Sequence, residues 1–269
     1  MLGNIIAFRK FRPGGSILGY KWVGFRYFKI FITDQKFWEV FKNTLVLSGL
    51  TLLISWPVPI IFALLLNEIH SIKFKKAVQV ISYLPHFLSL VVVYGLIQKI
   101  LSPSTGVIND ILRALGRDPV HFLLEPGWFR PVYIISDIWQ NTGWGAIVYL
   151  AALTSIDPQL YESSEIDGAR RFQQTLYITL PGLLPTITVL LILQIGRILS
   201  LSFQKILLLY NPMTYPVADV IQTYVYRMGL LQNNFSYATA IGFFESIIGL
   251  FLVISANKIA RKVSDTSLW

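Results

Sequence analysis

The sequence predicts an all-α integral membrane protein with five transmembrane helices. Hydrophobic residues make up 54% of the 269 and charged residues only 14%, whereas a soluble domain carries about 25% charged residues. The apolar residues come in blocks close to the ~20 residues that cross a bilayer. The net charge of +9 falls between those blocks, as in the loops of membrane proteins, which argues against a nucleic-acid surface.

The expected spans are 44–66, 77–98, 132–153, 183–204 and 238–256. The first has no Asp, Glu, Lys, Arg or His. The others hold one each: His86, Asp137, Arg197 and Glu245. Pro57, Pro59 and Pro85 lie inside spans and predict kinks, which membrane helices tolerate when neighbours satisfy the freed carbonyls. Lys73, Lys75 and Lys76 follow the first span, and Lys258, Arg261 and Lys262 follow the last. Both clusters belong on the cytoplasmic side. Segment 1–43 is then extracytoplasmic, 157–181 is a cytoplasmic loop, and 257–269 is a cytoplasmic tail. The basic residues of 1–43, from Arg9 to Lys42, fit that side poorly. They lead us to expect a further span upstream in the native protein or its close relatives.

Several chemistries are excluded. The chain has no cysteine, and His70, His86 and His121 lack ligand spacing, so no metal site is expected. It has no GxxxxGK[ST] loop, no HExxH and no GxSxG, so neither catalytic residues nor ATP hydrolysis by this chain are expected.

The loop 157–181 is more regular than a linker. Asp157-Pro158 is a helix start, with Asp as N-cap and Pro in the first turn. Glu162 and Glu165 follow early in that helix, Gly168 interrupts it, and a second helical stretch runs over 169–179 and ends before Pro181. Within it stand Glu162-Ser163-Ser164, three residues, Gly168, nine residues, Ile178, one residue, and Leu180-Pro181.

That spacing resembles the cytoplasmic EAA motif of ABC-importer permeases, with Ser in place of both alanines. Asn43-Thr44-Leu45, Ser82-Tyr83-Leu84-Pro85-His86-Phe87, Ser136-Asp137-Ile138-Trp139 and Leu208-Leu209-Tyr210-Asn211-Pro212 resemble the carbohydrate branch. Within it they resemble the permeases for complex oligosaccharides, near the alginate- and rhamnogalacturonan-oligosaccharide importers. The resemblance implies a type I ABC importer permease fold over 44–256 with a six-span core, whose first span this sequence lacks. It implies a second, different permease subunit, two ATPase subunits that use ATP and Mg²⁺, and an extracytoplasmic solute-binding protein, all in a bacterial cytoplasmic membrane. No cofactor is expected on this chain. Glu162, Ser163, Ser164, Asp167, Gly168, Ala169, Ile178, Leu180 and Pro181 would then form the coupling contact with the ATPase.

Charges within spans are costly, by roughly 2.5–3.5 kcal/mol each on insertion scales, and are functional candidates by default. Counted along the expected spans at 1.5 Å per residue, Asp137, Arg197 and Glu245 lie at similar depth, ~8–10 Å below the outer ends. Arg197 and Glu245 are therefore expected to pair. Asp137, Gln140, Asn141 and Trp144 share a helix face, and Gln194, Arg197 and Gln204 fall on one side. Polar groups beside an aromatic ring suit a sugar, so Asp137, Gln140, Asn141, Trp144, Gln194, Arg197 and Glu245 are candidates for a substrate path. Interhelical bonding is an equally good reading of the same groups. Gly242 and Gly249 are expected to let helices approach closely. An ion-coupled transporter is the alternative function, but it would leave the loop motif without a task.

Overall fold

The computed structural model describes residues 2–14 and 21–263; the part of the expected tail beyond 263 lies outside them. A 3-10 stretch, Leu2–Phe8, leads into β1 (Arg9–Lys10), which pairs antiparallel with β2 (Lys21–Trp22). The helices follow in order: α1 (Arg26–Thr33), α2 (Gln35–Leu50), α3 (Pro57–Asn67), α4 (Ile72–Tyr83), α5 (Leu90–Leu101), α6 (Val107–Ala114), α7 (Pro126–Leu153), α8 (Pro158–Ile166), α9 (Arg171–Gln174), α10 (Leu180–Gly196), α11 (Phe203–Leu209), α12 (Tyr215–Ala218), α13 (Ile221–Tyr226) and α14 (Phe235–Val263).

Among the described residues, three helical runs are long and apolar enough to cross a membrane: Gln35–Asn67, Arg171–Gly196 and Phe235–Lys262. A fourth candidate is the pair Ile72–Phe87 and Leu90–Leu101, bent by 102°. At 28 residues, or ~42 Å, α7 is also long enough, but Arg130, Asp137, Gln140 and Asn141 make it more polar.

Two expected spans change shape. Residues 77–98 do not form one straight helix. Pro85 cannot donate to the preceding turn, the chain tightens to 3-10 over Leu84–Phe87, and the Ser89 hydroxyl starts a new helix by accepting from the Val92 amide at 3.3 Å. The helix expected over 183–204 stops at Gly196, and 197–202 are not helical before α11 begins.

Pro57 is accommodated differently. The turn just before it, Thr51–Ser55, is π-helical, and the Trp56 amide reaches the Thr51 carbonyl at 3.0 Å. Widening the turn removes the demand for the bond that Pro57 cannot make. Thr175–Thr179 is a second π-helical turn, and it sits just before Pro181.

The chain forms two compact units. One comprises 1–49, 89–133 and 196–252. Its core is aromatic: Phe31 and Phe37 are fully buried, with ring centroids 4.8 Å apart, alongside Val40, Ile221 and Tyr224. Asn43 and Thr44 stitch α2 to the segment around α12 and α13. The Asn43 amide donates to the Pro216 and Asp219 carbonyls, and the Thr44 hydroxyl accepts from the Ile221 amide at 2.9 Å. The buried Asp219 carboxylate takes two bonds from Arg227 and one from Thr223. Burial and then hydrogen bonding to Tyr237 and Asp34 push the Tyr224 phenol above its usual range, so it stays neutral and donates to Asp34 at 2.8 Å.

The other unit comprises 50–88, 134–195 and 253–269. Ile60 and Ala63 of α3 pack on Ala146 and Tyr149 of α7. Gly143 is required there: a Cβ would overlap the Ser82 carbonyl. Large apolar side chains face outward in both units, with Leu53 75% and Phe251 68% exposed, as lipid-facing surfaces require.

Candidate functional site

The loop 157–181 folds as a short helix, a glycine break and a second helix, which starts at Arg171 and, contrary to expectation, does not end before Pro181 but runs on to Gly196, because the π-helical turn Thr175–Thr179 accommodates the proline. Asp157 caps α8 by accepting from the Gln159 amide at 2.9 Å, and Pro158 opens the helix. At its end the Ala169 amide reaches the Ser164 carbonyl at 2.9 Å and the Gly168 amide reaches the Glu165 carbonyl at 3.0 Å. This is a Schellman closure, which places the residue after the C-cap in the left-handed region. Gly168 occupies that position with φ +79°, which explains why the motif needs glycine there.

The two serines of the motif act differently. Ser163 bonds back to its own helix, through the Leu160 carbonyl. Ser164 donates to the Tyr161 carbonyl and accepts from the Gln174 amide at 3.0 Å, so it ties α8 to α9. The Gln173 side-chain Oε1 accepts from the Arg170 backbone amide at 2.7 Å and starts α9, and the Tyr161 and Thr179 hydroxyls meet at 3.0 Å. Arg171 contacts His70 at 3.1 Å, linking the loop to the turn that follows α3. Glu162, Ser163, Asp167, Gly168 and Pro181 are exposed, while Ser164, Ala169, Ile178 and Leu180 are half-buried. Ile166 and Phe172 stand 87% and 78% exposed on this braced frame.

In the same unit, α7 carries a polar and aromatic group. The Asn141 amide donates to Asp137 Oδ1 at 2.9 Å, and Asn141 Oδ1 lies 3.1 Å from His86 Nδ1. With its amide nitrogen given to Asp137, Asn141 turns its oxygen to His86, and an amide oxygen accepts, so His86 Nδ1 is the donor of that contact. The His86 ring stacks on Trp144, with centroids 4.8 Å apart and planes 3° from parallel, and Phe87 meets Trp144 edge-on. Trp144 remains 46% exposed. The buried Gln140 donates to the Leu88 carbonyl at 3.4 Å, and Gln194 is half-buried. Asp137, Gln140, Asn141 and Trp144 lie along α7, and the bend at Pro85 brings His86 and Phe87 to Trp144. Of these two, His86 stands out in the sequence as the single titratable group of its expected span, and Phe87 does not.

The expected pairing of Arg197 with Glu245 is absent among the described residues. Glu245 Oε1 accepts from Gln222 at 2.8 Å and Ser200 at 3.4 Å, and the Arg197 side chain is exposed. The depth argument assumed a helix through 183–204. Because α10 ends at Gly196, Arg197 is not at the counted height, and Gln204 lies on a different helix, α11. Ser200 and Gln222 had no sequence signal, since their alignment depends on that unwound segment. Gly249 does allow close approach, with the Gly196 carbonyl 3.2 Å from where its Cβ would stand, but Gly242 has no atom within 4 Å of that point.

Comparison with known proteins agrees with the loop. The family described as "Binding-protein-dependent transport system inner membrane component" matches residues 57–265. The chain is 46% identical over 269 residues to the polygalacturonan/rhamnogalacturonan transport system permease protein YteP of Bacillus subtilis (strain 168), covering 100% of this chain and 84% of that protein. It is 42% identical over 269 residues to protein LplB of the same organism, covering 100% and 85%. A chain of a bacterial ABC transporter crystal structure, a transporter involved in the import of the acidic polysaccharide alginate, superposes with TM-score 0.91 at 48% identity, covering 98% of this chain and 89% of that one. A chain of the alginate transporter solved with an alginate pentasaccharide-bound periplasmic protein gives TM-score 0.89 at 50% identity, covering 91% and 85%.

Proposed function

The chain belongs to the family of binding-protein-dependent transport inner-membrane components, and from that membership we propose that this permease subunit carries oligosaccharides across a bacterial cytoplasmic membrane. It has the type I ABC importer permease fold and is a non-catalytic membrane component. That membership decides against an ion-coupled carrier, because the family transports with a binding protein. The observation that carries the reading is the loop 157–181, whose Schellman turn at Gly168 and Ser164–Gln174 tie hold exposed apolar side chains on a rigid support.

The mechanism follows from that loop. A separate pair of ATPase subunits binds ATP and Mg²⁺, and this chain binds no cofactor. The cleft of one ATPase receives α8 and α9 on the cytoplasmic face, with Ile166 and Phe172 as apolar anchors. A stiff loop passes the ATPase motion into α7 and α10, and the pathway opens alternately to either side. A second, different permease completes the pathway, an extracytoplasmic solute-binding protein delivers the sugar, and lipid surrounds the rest.

The Asp137–Asn141–His86 chain fixes the plane of Trp144 and leaves its ring available to the C–H face of a sugar, while hydrogen-bonding groups at its edge suit hydroxyls. Gln140 contributes by holding the bend at Leu88. Gln194, Arg197 and Glu245 remain candidates for sugar contact, each within its own unit. In proteoliposomes holding the permease pair, the ATPase and the binding protein, oligosaccharide uptake should require ATP and the binding protein. Trp144→Ala should lower it at least several-fold with assembly intact. Uptake driven by an ion gradient without ATP would sink the importer reading, and normal uptake by the Trp144 variant would sink the assigned contact.

A further inference from the structure

In the unit 50–88, 134–195 and 253–269, three span ends meet at the turn 68–71. The run Gln35–Asn67 ends just before that turn, and the bent pair that begins at Ile72 starts just after it. The run Arg171–Gly196 begins at Arg171, and Arg171 Nη2 lies 3.1 Å from His70 Nε2. Cations gather at the same level. Lys73, Lys75 and Lys76 lie within ~6 Å of the start of α4 along its axis, and Arg170 and Arg171 open α9. All but the half-buried Lys75 are exposed. No Asp or Glu occurs in 69–109 or 168–218, so Glu68 and Asp167 stand only at the edges of the two basic stretches. Apolar side chains alternate with the lysines: Ile72 and Phe74 are both exposed. The Ser71 hydroxyl fixes this first turn by accepting from the Phe74 amide at 3.4 Å.

A helix that enters a bilayer carries its first residues through the headgroup layer. Bulk water gives exposed isoleucine and phenylalanine no partner, and acyl chains give lysine none. The boundary between headgroups and acyl chains satisfies both kinds of side chain. Lys and Arg there meet phosphate oxygens. A zwitterionic headgroup brings its own cation and neutralises nothing. An anionic headgroup balances the excess of five cations over the two flanking carboxylates.

We infer that the first turn of α4 and the start of α9 form a binding site for an anionic phospholipid headgroup. Lys73, Lys76 and Arg170 hold its phosphate, and Ile72 and Phe74 rest at the acyl boundary. The inference goes beyond the transport reading: it needs only the three span ends and their charges, whichever way the chain is oriented. Its consequence is mechanical. Arg171 ties the turn 68–71 to the loop 157–181, so a bound anionic lipid braces that loop against the membrane surface.

The test uses the complete transporter in phosphatidylcholine nanodiscs, with a fluorophore on this chain through Ile72→Cys, a position 69% exposed. Bromine-labelled phosphatidylglycerol and bromine-labelled phosphatidylcholine are compared as quenchers at equal mole fraction. Phosphatidylglycerol should quench several-fold more. Each basic residue near a membrane surface is worth about fivefold in affinity for anionic lipid. Lys73→Gln combined with Lys76→Gln should therefore weaken phosphatidylglycerol binding ~30-fold and abolish the excess. Lys73→Arg combined with Lys76→Arg should keep it. Equal quenching by the two lipids with both lysines present overturns the site, and so does an excess that persists in the glutamine variant. A fluorophore that neither lipid quenches, and whose emission shifts when the ATPase is removed, gives this surface to the ATPase and overturns it as well. Uptake is not read, so failure here is distinct from failure of the importer reading.

Discussion

At Gly168 a backbone angle sets the joint between α8 and α9. The left-handed region costs an L-residue ~1–2 kcal/mol, and Gly168 sits there at φ +79° in open space. Gly168→Ala meets no steric neighbour, so its whole effect is conformational strain at the joint between α8 and α9. It should lower ATP-driven uptake several-fold while the complex still copurifies. Gly168→Asn should recover part of the loss, because asparagine visits this region more readily. Equal activity of the glycine, alanine and asparagine forms would remove the joint from the mechanism. Ser164 adds to the same joint. Where the family motif has alanine, its hydroxyl bonds Gln174 and replaces a bare packing contact with a directed one.

At the scale of elements, prolines are handled by two devices. Pro57 and Pro181 each follow a π-helical turn, and the helical path continues through both. Pro85 instead leads into a 3-10 turn and a break of 102°. The difference lies in what comes next: Ser89 caps a new helix after Pro85, whereas after Pro57 and Pro181 the same helical run continues without a new cap. The wide turn before Pro181 sets the rotation of the loop relative to α10. Pro181→Ala restores an amide and lets that turn close to α-helical geometry, which turns the loop by ~100°, the angle of one residue. Uptake should then fall about tenfold or more with the complex assembled, by the sensitivity of positioned contacts to small misplacement. Full uptake would show that the wide turn is incidental.

For the whole molecule, the outward-facing apolar surface and the exposed loop are different surfaces: the first suits lipid, and the second is the one proposed to meet the ATPase. The chain has no cysteine, so a single introduced thiol reports its own surroundings. Ile166→Cys, at a position 87% exposed, should react with a membrane-impermeant maleimide in inside-out vesicles and not in intact cells. The ATPase should protect it. Labelling in intact cells would reverse the assigned orientation, and lack of protection would place the ATPase contact elsewhere.

Much of the class of this protein was legible in one dimension, because its signals are local. Apolar blocks mark membrane helices without knowledge of their neighbours. Asp157-Pro158 and Gly168 punctuate the loop through backbone rules that act within a few residues, and the structure follows them; Pro181 does not, because a π-helical turn carries the helix through it. The face formed by Asp137, Asn141 and Trp144 was also visible, since helical spacing alone aligns it. What the sequence could not determine depended on where helices stop and what then meets them. Counting depth through 183–204 matched Arg197 to Glu245. The end of α10 at Gly196 gave Glu245 to Gln222 and Ser200 instead, and the bend at Pro85 brought His86 to Trp144. Both outcomes are tertiary, because a helix end or a bend moves every later residue by ångströms that no local pattern records.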